Sequence, residues 1–232
     1  MSGIIGSKFN HRGSGLVGSV GTDGQVFTSS GAGVSHAFED AAGGKETLLS
    51  STTITSDTAT FDGDQLLPST YNNFVVDFIN ICPTDSSNQD IILYMRSGSA
   101  GSETTFTGNV AYCRIRQQGG SWITDAQNSS GGHCRFTHSG CRGDHDDYGG
   151  FYRARLFNVH AKDPAGNTSK GYFHFYTEST GRVSGSTYHY LGTSAGHIAT
   201  VTDFTGFHLV FGTSIRGANN PMINVYGVNN VN

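Results

Sequence analysis

Between positions 133 and 148 the chain carries His133, Cys134, His138, Cys141 and His145, with Asp144, Asp146 and Asp147 beside them. Thiolates and imidazoles are donors that zinc prefers, and a loop can fold four of them into a tetrahedron. The spacing argues against a metal, because zinc sites usually present a Cys or His pair about two to four residues apart, and only His138 and Cys141 approach that. Three readings of the cluster stay open: a metal site, a Cys134–Cys141 disulfide, and plain polar loop residues. No cofactor is expected.

A second group has the chemistry of sugar recognition. A flat aromatic ring covers the apolar side of a pyranose while carboxylates and amides take its hydroxyls, and Trp122, Asn128, Asp146, Asp147 and Tyr148 offer that combination. The alternative is that Trp122 and Tyr148 only pack the base of a loop. Arg142-Gly143-Asp144 spells an integrin-type tripeptide, but Gly-Asp is ordinary turn chemistry. The chain has no phosphate loop or His-Glu-x-x-His, and no acidic pair stands out as a glycosidase couple. The protein is therefore not expected to be an enzyme. A polysaccharide-cleaving role would need carboxylates brought together from separate strands.

These residues must be held by β-structure. The chain has 232 residues, 33 of them glycine, and only 14% are charged, with few of the residues that fill helix surfaces. Phe74, Val76 and Phe78 alternate onto one face with Asp77 on the other, and Ile91, Leu93 and Met95 resume the period after a polar break. This predicts a hairpin-like pair over 71–96. Further strands are expected over 45–65, over 112–117 and near Trp122, followed by an otherwise irregular stretch to Gly150. After it come strands over 151–160 and 172–177, another that starts at 188–190, and a last pair over 204–228. Cys82 and Cys113 read as small buried hydrophobes. Many short strands with no helical intervals predict one antiparallel β-sandwich of jelly-roll type over residues 45–232.

Residues 1–44 are dense in Gly and Ser and cannot form a core of their own. Ile4, Ile5, Phe9, Leu16, Val17, Val20, Val26 and Phe27 nonetheless offer apolar surface that is better buried against other chains, so the segment reads either as an attachment arm or as a linker. The start lacks the basic and apolar regions of a secretory leader, and no apolar run approaches the ~20 residues of a membrane span. With a net charge of -4 and only 14 Lys plus Arg, the chain has no basic stripe for nucleic acid.

Within the arm, Gly21-Thr22-Asp23-Gly24-Gln25-Val26-Phe27-Thr28-Ser29, then Gly31-Ala32-Gly33 and Phe38-Glu39, resembles the GTxGQVLTSxGAG…WE segment of tailed-bacteriophage fibre and appendage proteins. The chain departs from that pattern at Phe27, where Leu is usual, and at Phe38, where Trp is usual. The order of landmarks from Lys45 to Val228, ending in Tyr226-Gly227, is also similar to the β-sandwich common at the ends of phage fibres. The resemblance implies a virion protein: a fibre, tail appendage or capsid decoration. It implies a strand-turn-strand unit in the arm that attaches to other virion proteins, a homotrimer, and an outward sandwich that touches host-surface glycan. A free carbohydrate-binding module is the competing reading.

Overall fold

The computed structural model describes residues 8–11, 15–19, 25–28, 37–40, 46–84, 91–118, 121–129, 133–135, 150–160, 172–182, 189–198, 200 and 202–229. The chain divides into two compact units, Met1–Lys45 and Glu46–Asn232. In the first, β1 (Lys8–His11) pairs with β2 (Gly15–Ser19), and β3 (Gln25–Thr28) pairs with β4 (Ala37–Asp40), both antiparallel. Phe27 stands opposite Phe38 in that second register, so the motif segment forms a strand pair.

The second unit is two antiparallel sheets packed face to face. Its strands are β5 (Glu46–Thr53), β6 (Thr58–Gly63), β7 (Asn73–Ile81), β8 (Ile91–Ser97), β9 (Thr104–Thr105), β10 (Val110–Gln118) and β11 (Ser121–Ser129). They continue with β12 (His133–Arg135), β13 (Gly150–Phe157), β14 (Phe173–Arg182), β15 (His189–Ile198), β16 (Gly206–Ile215) and β17 (Met222–Val228). The larger sheet runs β11-β10-β15-β14-β13-β7-β17-β5 and the smaller runs β12-β8-β16-β6, with β9 paired to β8.

The predicted pair over 71–96 is therefore not a hairpin. β7 and β8 are strands, but they lie in opposite sheets and meet across the core. The same holds for the last pair, because β16 is in the smaller sheet and β17 in the larger. Period-two alternation identifies a strand's buried face, and it does not say which strand lies beside it. The β-rich run expected over 45–65 is two strands, β5 and β6, one in each sheet.

Burial explains why the sheets close on each other. Phe74, Val76 and Phe78 of β7, Leu93 and Met95 of β8, and Phe207, Leu209 and Phe211 of β16 are all buried in one core. Phe78 meets Phe207 edge-on across the sheets, at 6.5 Å and 87°. Phe204, just before β16, takes Phe106 at 5.5 Å and Phe173 at 5.4 Å, both edge-to-face. Each such contact adds about 0.5–1.5 kcal/mol beyond the area it buries.

Four strands of the larger sheet extend beyond β13. β10 and β11 follow β8 and β9 in the chain, β14 and β15 follow β13, and the two hairpins join where β10 pairs with β15. They form a wing attached to the side of the sandwich.

Candidate functional site

The wing carries the side chains best placed to meet a ligand. Its registers align residues in rows across the sheet. The first row is Trp122, Gln117, Leu191 and Thr180, and the second is Thr124, Ile115, Thr193 and Glu178. The third is Ala126, Cys113, Ala195 and Tyr176, and the fourth is Asn128, Ala111, His197 and His174.

Where the wing joins the sandwich Val110, Tyr112, Phe173, Phe175 and Ile198 face the core, but farther out its polarity is inverted relative to an ordinary half-buried sheet. Trp122 is 64% exposed, and Ile115, Leu191 and Cys113 also lie open. On the inward surface, Arg114, Thr177, Ser179 and Ser194 are buried, with the Thr177 and Ser194 hydroxyls 2.6 Å apart and the Ser179 hydroxyl donating to the Gly192 carbonyl at 3.1 Å. Cys113, expected inside, is exposed for this reason. In Val110-Ala111-Tyr112-Cys113-Arg114-Ile115 the inward parity belongs to Val110, Tyr112 and Arg114.

A shallow trough of about 350 Å³ crosses the third and fourth rows, over Ala111, Cys113, Ala126, Ala195 and His197. Small side chains form its floor. Beside it, Tyr172 meets His197 at 5.3 Å and 72° and His174 at 6.3 Å and 73°, and the two imidazoles are 6.0 Å apart. Trp122 lies two rows away, in the first row. Gly196 is required beneath the trough, because a Cβ there would fall on the Phe175 ring, 2.5 Å from its Cζ.

Of the sugar-binding residues expected from sequence, Trp122 is on this face and Asn128 holds a position in the same strand, opposite Ala111. Asp146, Asp147 and Tyr148 lie outside the described residues, as do His138, Cys141 and His145 of the expected metal set. His133 and Cys134 are in β12, opposite Tyr94 and Leu93, and the His133 ring lies 5.4 Å from that of Tyr94. No group of three or more His, Cys, Asp or Glu among the described residues is arranged to hold a metal. Of the attachment residues, Phe9 is in β1, Leu16 and Val17 in β2, and Val26 and Phe27 in β3. Ile4 and Ile5 lie outside the described residues.

A carboxylate cluster escaped the sequence reading because its members are far apart in the chain. Arg96 donates to Asp62 at 2.9 Å and also to Asp64, and Asp62 meets His208 Nδ1 at 2.6 Å. Glu103 is buried and accepts from the Gln65 backbone at 2.8 Å and from the Thr205 hydroxyl at 2.9 Å. Desolvation and a hydrogen bond to Glu103 push the Asp64 carboxyl above its usual range, against the pull of Arg96. The cluster ties the turn between β8 and β9 to the end of β6 and the start of β16. Its Arg–carboxylate pairing suits a structural clasp.

The comparisons with known proteins add no family to this geometry: the chain matches no protein-family model, no curated protein and no solved structure.

Proposed function

We propose that the chain is a structural protein of a tailed-bacteriophage virion, in a tail fibre, tail appendage or capsid decoration. Residues 1–44 attach it to other virion proteins, and the sandwich of residues 45–232 faces outward to touch the host surface. The observation that carries this reading is the likeness of the segment from Gly21 to Glu39 to the phage fibre motif, in a unit separate from the sandwich. The sandwich is read as a jelly roll with a wing. In support, successive strands of the sandwich alternate between sheets except at β8 and β12, which pair with each other, giving β5-β17-β7-β13 in one and β6-β16-β8-β12 in the other, the nested order of two Greek keys. Three copies about one axis would offer the apolar residues of the arm a shared interface.

The test is deletion of residues 1–44 in the phage that encodes the chain, with incorporation scored by mass spectrometry of purified particles. Loss of incorporation with a folded, protease-resistant sandwich supports attachment through the arm, and intact incorporation overturns it. Native mass spectrometry of the full chain should give three times 24.6 kDa. A monomer that still binds glycan would favour the second reading, a free carbohydrate-binding module, for which the open Trp122 face of the wing speaks.

A further inference from the structure

We propose that the outward face of the wing is a binding platform for a neutral oligosaccharide. This rests on the reading of the sandwich as a host-contacting module, and it specifies the surface and the class of ligand.

The wing is an addition to the fold. The strands β10, β11, β14 and β15 come from two separate insertions that meet edge to edge, rooted in the core by Val110, Tyr112, Phe173, Phe175 and Ile198. Beyond those residues Trp122, Ile115 and Leu191 point to water while Arg114, Thr177, Ser179 and Ser194 are buried beneath, a reversal that costs stability and marks a surface kept for contact.

The chemistry of that face selects the ligand. Across the outward positions of β11, β10 and β15 no Lys, Arg, Asp or Glu occurs, and the one charged residue in the four rows is Glu178 of β14, so no cation there complements a phosphate or a sialic acid. What it offers is an exposed indole, the hydroxyls of Thr124 and Thr193, and the His197 imidazole beside the Tyr172 ring. Rings cover the C–H side of a pyranose, and hydroxyls and imidazoles both donate to and accept from sugar hydroxyls. A polypeptide partner would need a larger closed apolar patch, because stable interfaces cover about 800 Å² on each side. Here Ala and Thr floor the centre and large apolar groups stand apart. Trp122 and the His197 row are separated by six residues of strand, about 20 Å. That is the length of a short oligosaccharide laid across the rows from Trp122 to the trough, not of a single ring.

Trp122 is the only tryptophan in the chain and Cys113 lies in the trough, so the full-length protein reports its own occupancy. Maltohexaose, cellohexaose, laminarihexaose and a neutral mannan are titrated against tryptophan emission, with polysialic acid as the charged counterpart. Alkylation of Cys113 by iodoacetamide is followed in parallel by peptide mass spectrometry. The expected result is that at least one neutral glycan shifts the emission and slows Cys113 alkylation severalfold. Ala195→Leu, which fills the trough and keeps the reporter, should weaken both effects. Trp122→Ala, read by calorimetry, should lose at least roughly tenfold in affinity.

The proposal is overturned if no neutral glycan changes either signal or if only polysialic acid does. It is also overturned if Cys113 becomes protected simply on raising protein concentration, which would make the face a contact between copies. Trp122→Ala particles should incorporate the chain normally. Failure of the glycan test with loss of incorporation on arm deletion would therefore remove the platform and leave the virion reading standing.

Discussion

Asp77 is almost fully buried on a strand whose opposite face is apolar core, and its carboxylate is held by Arg153 of β13 through two bonds of 2.6 and 2.7 Å. The pair is directly cross-strand, and the Arg153 guanidinium also lies 5.7 Å above the Phe151 ring. The bond to Asp77 raises the Arg153 pKa further above its usual range, against desolvation. Removing the two partners should not cost the same. Arg153→Met leaves a carboxylate buried without its cation and should destabilise by about 2–3 kcal/mol, whereas Asp77→Asn leaves an arginine able to reach water and should cost about 1 kcal/mol. Urea denaturation of both variants checks the order. The sequence made half of this legible. The alternation put Asp77 opposite Phe74, Val76 and Phe78, but its partner is 76 positions away and no local pattern points to it.

His160 offers a pH test at the same scale. It is buried against Phe74, with ring centroids 6.1 Å apart, and its backbone N–H donates to the Asn72 side chain at 2.9 Å. Desolvation holds its pKa below the ordinary 6.5, against smaller opposing pulls from Asp203 and the backbone of Pro68 and Leu67. A depressed folded-state value means that its contribution to stability is fully present above the unfolded-state value and is lost as pH falls through the folded one. The urea midpoint should therefore drop between pH 7.5 and pH 5, and His160→Gln should flatten that drop relative to the parent. An unchanged slope would remove His160 as its source.

At the scale of elements, the wing is where pattern reading failed. Strand β11 falls mostly within the stretch taken as irregular, because Ser121 to Ser129 alternates Trp122, Thr124 and Ala126 outward without an apolar set pointing the other way. Apolar alternation marks a strand only when one face meets core and the other meets water, and this hairpin does neither cleanly. Gly192 and Gly196 weakened the signal of β15 in the same way. Gly196 is there because the Phe175 ring lies against its backbone. Gly196→Val should displace that ring and cost about 1–3 kcal/mol, read as a lowered denaturation midpoint. A neutral outcome would show that the ring has room to move. The strands β7, β8, β13 and β16, by contrast, were visible in the sequence, since each buries one parity of large apolar side chains in the core.

At the scale of the whole molecule, composition was enough for the all-β class, and topology was not. Two sheets and alternating residues are compatible with many strand orders, and the observed order depends on pairings between distant segments. Met222 to Val228 forms β17, which lies between β5 and β7 and bonds to both. Because β5 opens the second unit and β17 is its last described strand, the larger sheet has a gap beside β7 until nearly all of the domain has left the ribosome. Synthesis must therefore carry a long, unpaired, β-prone chain, the situation in which edge strands capture one another. A chain stopped before Met222 should accumulate in aggregates during translation, and supplying the β17 segment as a separate peptide should restore soluble product. The burden of this fold thus falls on the timing of its synthesis.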